Sequence, residues 1–199
     1  MNKSVLLATI AVLPLMAGGA FAAAPTVLWD QNTVTGDDFI FSENLGSDMT
    51  AGADDFVVPS GQTWLVKELD ITGVYFNGSG PATSEIVTFY SDRRGLPNRV
   101  HQGPFTLNCT DNFGSFQCKL PRGVKFKTGT WWMSFVVNMS FEAGGEWGWG
   151  VHESVQNNEA VWEHPTGSTC TTWTPLHLCG GGPPSDLAFQ LLGRAMSSN

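Results

Sequence analysis

The sequence predicts an all-β protein, a two-sheet, jelly-roll-like β-sandwich pinned by two local disulfides. Three observations carry this. Beyond the first 22 residues no segment shows an apolar period of 3.6. β-branched and aromatic residues recur instead in short runs, broken by Gly, Pro, Asn, Asp and Ser. The four cysteines fall in two pairs, each nine positions apart and each bracketing turn-rich sequence.

The runs place strands at Val27–Gln31, Asp55–Pro59, Thr63–Asn77, Glu85–Ser91, Pro104–Asn108 and Phe113–Leu120. Further strands are expected at Val124–Lys127, Thr130–Phe141, Glu146–Glu153, Ala160–Glu163, Thr172–Pro175 and Asp186–Leu192. So many short strands fit two stacked sheets sharing a core. Alternation is clearest where Trp131, Met133, Phe135 and Val137 oppose Trp132, Ser134, Val136 and Asn138. It recurs where Leu187, Phe189 and Leu191 oppose Asp186, Ala188 and Gln190. Period two predicts one face in the core and the other toward solvent or a partner. Turns are expected at Asn77–Pro81, Asp92–Pro97, Pro121–Gly123 and Gly180–Pro184, from residues that tolerate positive φ or end strand pairing. Residues 33–53 are polar and acidic around one apolar knot, Phe39-Ile40-Phe41, and predict a long irregular loop holding a short strand.

Residues 1–22 read as a secretory signal: Lys3 near the start, an apolar run from Val5 to Met16, and small residues before a cut after Ala22. The run is too short to span a bilayer. Residues 23–199 then form one domain of about 177 residues, 199 less 22, long enough for a sizeable core. Lys3 leaves with the signal, so nine basic residues face eighteen acidic ones and the net charge is 9 − 18, about −9. That balance argues against nucleic acid and anionic lipid as partners. The signal places the mature chain outside the membrane, secreted or periplasmic, and the sequence leaves its oligomeric state open.

In an exported chain an even cysteine count predicts disulfides. Spacing favours Cys109–Cys118 and Cys170–Cys179 among the three possible pairings. A closed loop of ten residues gives roughly 2.5 kcal/mol per bridge in the chain-entropy model. A four-cysteine zinc site would show close C-x₂₋₄-C pairs, which are absent.

Several phrases recur in a telling order. Asp54-Asp55-Phe56-Val57-Val58-Pro59-Ser60-Gly61-Gln62-Thr63-Trp64 precedes Gly73-Val74-Tyr75-Phe76, Phe89-Tyr90-Ser91-Asp92 and Gly95-Leu96-Pro97. Gly129-Thr130-Trp131-Trp132-Met133-Ser134, Trp147-Gly148-Trp149 and Asp186-Leu187-Ala188-Phe189-Gln190-Leu191 follow. Over roughly residues 50–193 this order resembles exported bacterial jelly-roll-like β-sandwich domains. Some of those belong to exosortase-sorted extracellular proteins with a Pro-Glu-Pro C-terminal signal. The resemblance implies the fold and an extracytoplasmic life. It carries over no catalytic residues, and the sorting tail has no counterpart after Asp186–Leu192.

No catalytic motif is legible. There is no G-x-S-x-G and no H-E-x-x-H, and paired cysteines leave no thiol nucleophile. Glu146, Glu153, Glu159 and Glu163 flank a tryptophan-rich region, which keeps a glycoside hydrolase as an alternative. The eight tryptophans are more informative, with Trp147, Trp149, Trp162 and Trp173 inside 27 residues. Flat aromatic faces bury sugar rings while neighbouring amides and carboxylates bond the hydroxyls. Trp147 and Trp149, two apart on one strand, are expected in the core, as are Trp64 and Trp131. Trp162 and Trp173, with Gln156, Asn157, Asn158 and Glu159, make the expected binding surface. The expected function is therefore a non-catalytic carbohydrate- or cell-envelope-glycan-binding module, with a structural or adhesive matrix protein as the other alternative. No cofactor is expected, except that Asp54, Asp55 and Asp186 offer oxygen ligands for a structural calcium if the first and last strands lie side by side. Failing that, Asp54 and Asp186 cap turns through their carboxylates.

Overall fold

The computed structural model describes residues 24–34, 38–152 and 154–197. The expected signal, residues 1–22, and Glu153 lie outside the described residues. The chain is an all-β sandwich. Its strands are β1 (Thr26–Asp30), β2 (Phe39–Phe41), β3 (Glu43–Asn44), β4 (Ala51–Ile71), β5 (Gly73–Phe76), β6 (Ser84–Asp92) and β7 (Pro97–Leu107). They continue with β8 (Thr110–Asn112), β9 (Ser115–Asn138), β10 (Glu146–His152), β11 (Val161–Glu163), β12 (Thr174–Pro175), β13 (Asp186–Leu187) and β14 (Phe189–Ser197). Two helical turns, α1 (Phe141–Gly144) and α2 (Leu176–Gly180), complete the described elements.

Hydrogen bonding forms a ten-stranded sheet with path β1-β14-β4-β9-β6-β7 and a four-stranded sheet around β10. β4 and β9 are one long antiparallel ribbon, interrupted between Val58 and Thr63, where Gly61 takes φ +75°. There the ribbon folds over, bringing its two halves face to face. Phe56, before the bend, lies 6.3 Å from Trp64 and 5.0 Å from Phe126, both beyond it. The expected strands 55–59 and 63–77 are therefore one strand up to Ile71, and the three expected between Phe113 and Phe141 are one strand as well. Pro121 does not end its strand, because β9 has a register irregularity opposite Val66–Glu68, where a residue without an N–H fits.

The small sheet closes the open end. Trp147 and Trp149 on β10 are fully buried, and Phe135 lies 5.6 Å from the first ring and 5.9 Å from the second. Each indole finds an acceptor: Trp147 Nε1 donates to Gly114 O at 2.7 Å and Trp149 Nε1 to Ala188 O at 2.9 Å. Buried tryptophans need such partners. Alternation leaves Gly148 on the other face, where a Cβ would come within 2.6 Å of the Phe76 ring. Glu43 is 4 % exposed and accepts the Trp147 N–H at 2.5 Å. Its burial pushes the carboxyl pKa up to about 7, the Trp147 bond acting in the opposite sense.

Both disulfides form as spaced, Cys109–Cys118 and Cys170–Cys179. In place of the expected long loop with one short strand, the described part of residues 33–53 holds β2, β3 and the start of β4. The solvent-facing side expected for the long alternating strands does not hold: Trp132, Ser134 and Val136 are buried too, as are Asp186 and Ala188. For Trp132 the cause is a second layer of packing on the far side of the large sheet, and Asp186, on β13 of the small sheet, is covered by the 154–160 loop.

Candidate functional site

That second layer begins with strand pairing. On β4 and β9, Asp55 stands opposite Trp132 and Ala53 opposite Ser134. On β6, Tyr90 stands opposite Trp132 and Thr88 opposite Ser134. On β11, Val161 faces Ala53 and Glu163 faces Ala51. Directly opposed residues share a face. One face thus carries Ala53, Asp55, Trp132, Tyr90, Val161 and Glu163, turned away from the main core. Ala53, Trp132 and Val161 form a small buried cluster there, on which half-buried Tyr90, Leu96 and Trp173 pack. Trp173 meets Tyr90 edge to face at 5.9 Å. Trp132 Nε1 donates to Asp92 Oδ1 at 2.9 Å, fixing the buried indole beneath the pair. Glu163 and Tyr90 are half-buried on the same face, and desolvation raises the pKa of each.

The 154–160 loop borders this face. Asn157 and Asn158 each donate Nδ2 to Asp55 Oδ2 at 2.5 Å. Gln156 N donates to Asp186 Oδ2 at 2.6 Å. Asp54, on the core side of β4, is fully used: Oδ1 accepts Asp55 N at 2.7 Å, and Oδ2 accepts Gln31 Nε2 and Leu187 N, both at 2.6 Å. Asp54, Asp55 and Asp186 are all 0 % exposed. Desolvation pushes Asp55 up to about 6 and Asp186 up to about 7, and raises Asp54 strongly, with Asp186 adding like charge. Asp54 and Asp186 lie on β4 and β13, strands of different sheets rather than the first and last, and the Leu187 N–H links them.

The expected surface divides. Trp173, Asn157 and Asn158 converge on the outer face. Trp162 does not: it pairs with Gly52 on the core-facing side, packs against the main core, and donates Nε1 to Phe41 O at 2.7 Å. Glu159 is tied to His177, 2.7 Å from its Nδ1. Glu146 accepts the Asn77 amide at 2.5 Å, so Glu146, Glu159 and Glu163 serve three different neighbourhoods. Trp64 is buried as expected, whereas Trp131 is half-buried and stands 4.5 Å from the His101 ring. Tyr90, Trp132 and Asp92 belong to the site without having been singled out. The signal for Tyr90 and Asp92 was the β6 phrase Phe89-Tyr90-Ser91-Asp92, whose alternation puts Phe89 in the core and Tyr90 outside it.

No family model matches the chain, and no curated protein matches it. Among solved structures it overlaps the crystal structure of the cysteine protease and lectin-like domains of Cwp84, a surface layer associated protein of Clostridium difficile, with TM-score 0.44 and 8 % identity. The overlap covers 76 % of this chain and 33 % of that one, so the chain spans about a third of that protein's length. At that identity and score the likeness says nothing of what this chain binds. Among the described residues no helix is long and apolar enough to cross a membrane.

Proposed function

We propose that the protein is an exported, non-catalytic binding module for a polysaccharide or cell-envelope glycan, working through the outer face around Trp173. The observation that supports this is the pairing of Trp173 with Tyr90 above a buried indole, beside the Glu163 carboxylate and the amides of Asn157 and Asn158. A half-buried ring packed against Tyr90 of β6 presents an apolar plane at little entropic cost, and the convergent polar groups suit sugar hydroxyls. Two disulfides suit a secreted or periplasmic setting.

The test is retention of the oxidised chain on insoluble chitin, cellulose, starch and peptidoglycan. Trp173→Ala and Glu163→Gln are compared with wild type after near-UV circular dichroism has confirmed folding. Retention on one polymer, lost in Trp173→Ala, supports the reading. Failure of wild type to bind any of the four, or undiminished binding by folded Trp173→Ala, contradicts it.

One observation favours a second reading, adhesion through protein contacts. Phe113, at the tip of the β8–β9 hairpin, is 89 % exposed and takes φ +55°. A bulky residue in the left-handed region is uncommon, and here it projects an apolar ring into solvent.

A further inference from the structure

Among buried groups, the carboxylates of Asp55 and Asp186 are anomalous. Both residues are 0 % exposed, and in each one oxygen, Oδ1, has no hydrogen-bond partner. A buried carboxylate normally fills its acceptor sites with donors or a cation. Protein cations do not supply the need: among the described residues the ion pairs are His164–Asp48 and His177–Glu159, and neither involves these aspartates. Each carboxylate raises the other's pKa or that of a neighbour, Asp186 feeling Asp55 and Asp54 feeling Asp186. The groups are thus close enough to repel, with no positive charge between them.

The geometry points to a divalent cation site of calcium's kind, in which Asp55 Oδ1 and Asp186 Oδ1 are the carboxylate ligands and the 154–160 loop supplies the rest. Calcium takes 6–8 oxygen ligands and accepts carboxylates, carboxamide oxygens, main-chain carbonyls and water together. The loop is already fastened to both carboxylates, by Gln156 N on Asp186 and by the Asn157 and Asn158 amides on Asp55. Both amides sit on Asp55 Oδ2, and turning either carboxamide sets its oxygen, instead of its nitrogen, beside that carboxylate. Asp54 is not a ligand, since three N–H donors occupy its oxygens. Among the described residues no three His, Cys, Asp or Glu side chains make up a metal-binding group, so this site offers two carboxylates and no third side chain of those types. A zinc-like site needs such a set of nitrogen and sulfur ligands. A hard cation completed by amides, carbonyls and water does not. Bound there, the ion fastens the loop to the sheet next to the Trp173 face.

The test uses the oxidised full chain stripped with chelator, then titrated with calcium chloride or magnesium chloride. Extracellular calcium modules bind at roughly 10⁻⁴–10⁻³ M, so the titration runs to about 100 mM at constant ionic strength. The expected result is a saturable rise in Tm, about 5–10 °C at a hundredfold excess over Kd. Amide exchange in residues 154–160 slows at the same concentrations. Asp55→Asn and Asp186→Asn remove one charge each at constant shape, so both variants are expected to fold and to lose the response. No response of wild type to calcium, an equal response to magnesium, or a full calcium response in folded Asp186→Asn overturns the assignment.

Discussion

Glu43 gives the fold a pH dependence that one substitution removes. In the folded chain its carboxyl is 4 % exposed, and its pKa is raised by burial from 4.5 to about 7. Unfolding returns it to water and to its ordinary value. Between those two values the folded state holds a proton that the unfolded state has lost. Stability is therefore fully present below about pH 4.5, falls as pH rises toward 7, and levels off above it. The interval from 4.5 to about 7 is roughly two and a half decades of proton affinity, at 1.36 kcal/mol each, or about 3 kcal/mol at most. Glu43→Gln keeps an oxygen for the Trp147 N–H but carries no charge at any pH. Urea unfolding of both proteins at several pH values between 4.5 and 8 measures the difference. The Gln variant is expected to gain on wild type by about 2–3 kcal/mol across that window, measured as a rising midpoint at constant m. Asp54, Asp55, Asp186 and Glu85 also have raised pKa values, but both proteins contain them, so they cancel in the comparison. Parallel stability curves for the two proteins would refute the assignment of this charge to a dry site.

Two further outcomes follow from backbone geometry and cross-links. At Gly193, opposite Val66 beside a register shift, an added Cβ would sit 2.0 Å from Leu65 O, so Gly193→Ala is expected to lose about 2–4 kcal/mol in urea unfolding. Gly180→Ala, where a Cβ would meet nothing within 4 Å, is expected to stay within about 0.5 kcal/mol of wild type. Replacing both Cys109 and Cys118 by Ser opens the bridge from the β7–β8 link to β9 and is expected to lower Tm by about 5–10 °C in calorimetry, from roughly 2.5 kcal/mol of loop closure.

Much of the fold was legible in local sequence. Turn-bracketed cysteines at equal spacing gave the disulfides, and the Trp-Gly-Trp alternation placed Trp147 and Trp149 in the core. What local patterns do not encode is the number of layers. Trp132 reads as the solvent-facing partner of Met133, yet it is buried because the Asp92–Pro97 turn and the segment carrying Trp173 cover it. The fold-over at Gly61 was equally hidden, since a bend inside one paired ribbon resembles a turn between two strands. The candidate site was half legible. Composition pointed to Trp173, Asn157 and Asn158. It could not separate them from Trp162, because β11 is only three residues long and its facing is set by pairing to β4 rather than by its own pattern. The buried aspartates were named from residue type. That both oxygens of Asp54 accept N–H groups, while Oδ1 of Asp55 and of Asp186 does not, depends on contacts from Gln31, Leu187 and the 154–160 loop, far apart in the chain.

The central claim, that glycan binds on the Trp173 face, is tested most directly by the indole N–H resonances of the eight tryptophans. These would be followed by ¹⁵N-correlated NMR while soluble fragments of the retained polymer are added. The account predicts a saturable shift at Trp173, a smaller one at Trp132 beneath it, and none at Trp147 or Trp149. A shift at Trp162 with Trp173 unmoved, or no indole shift with any fragment, would contradict it.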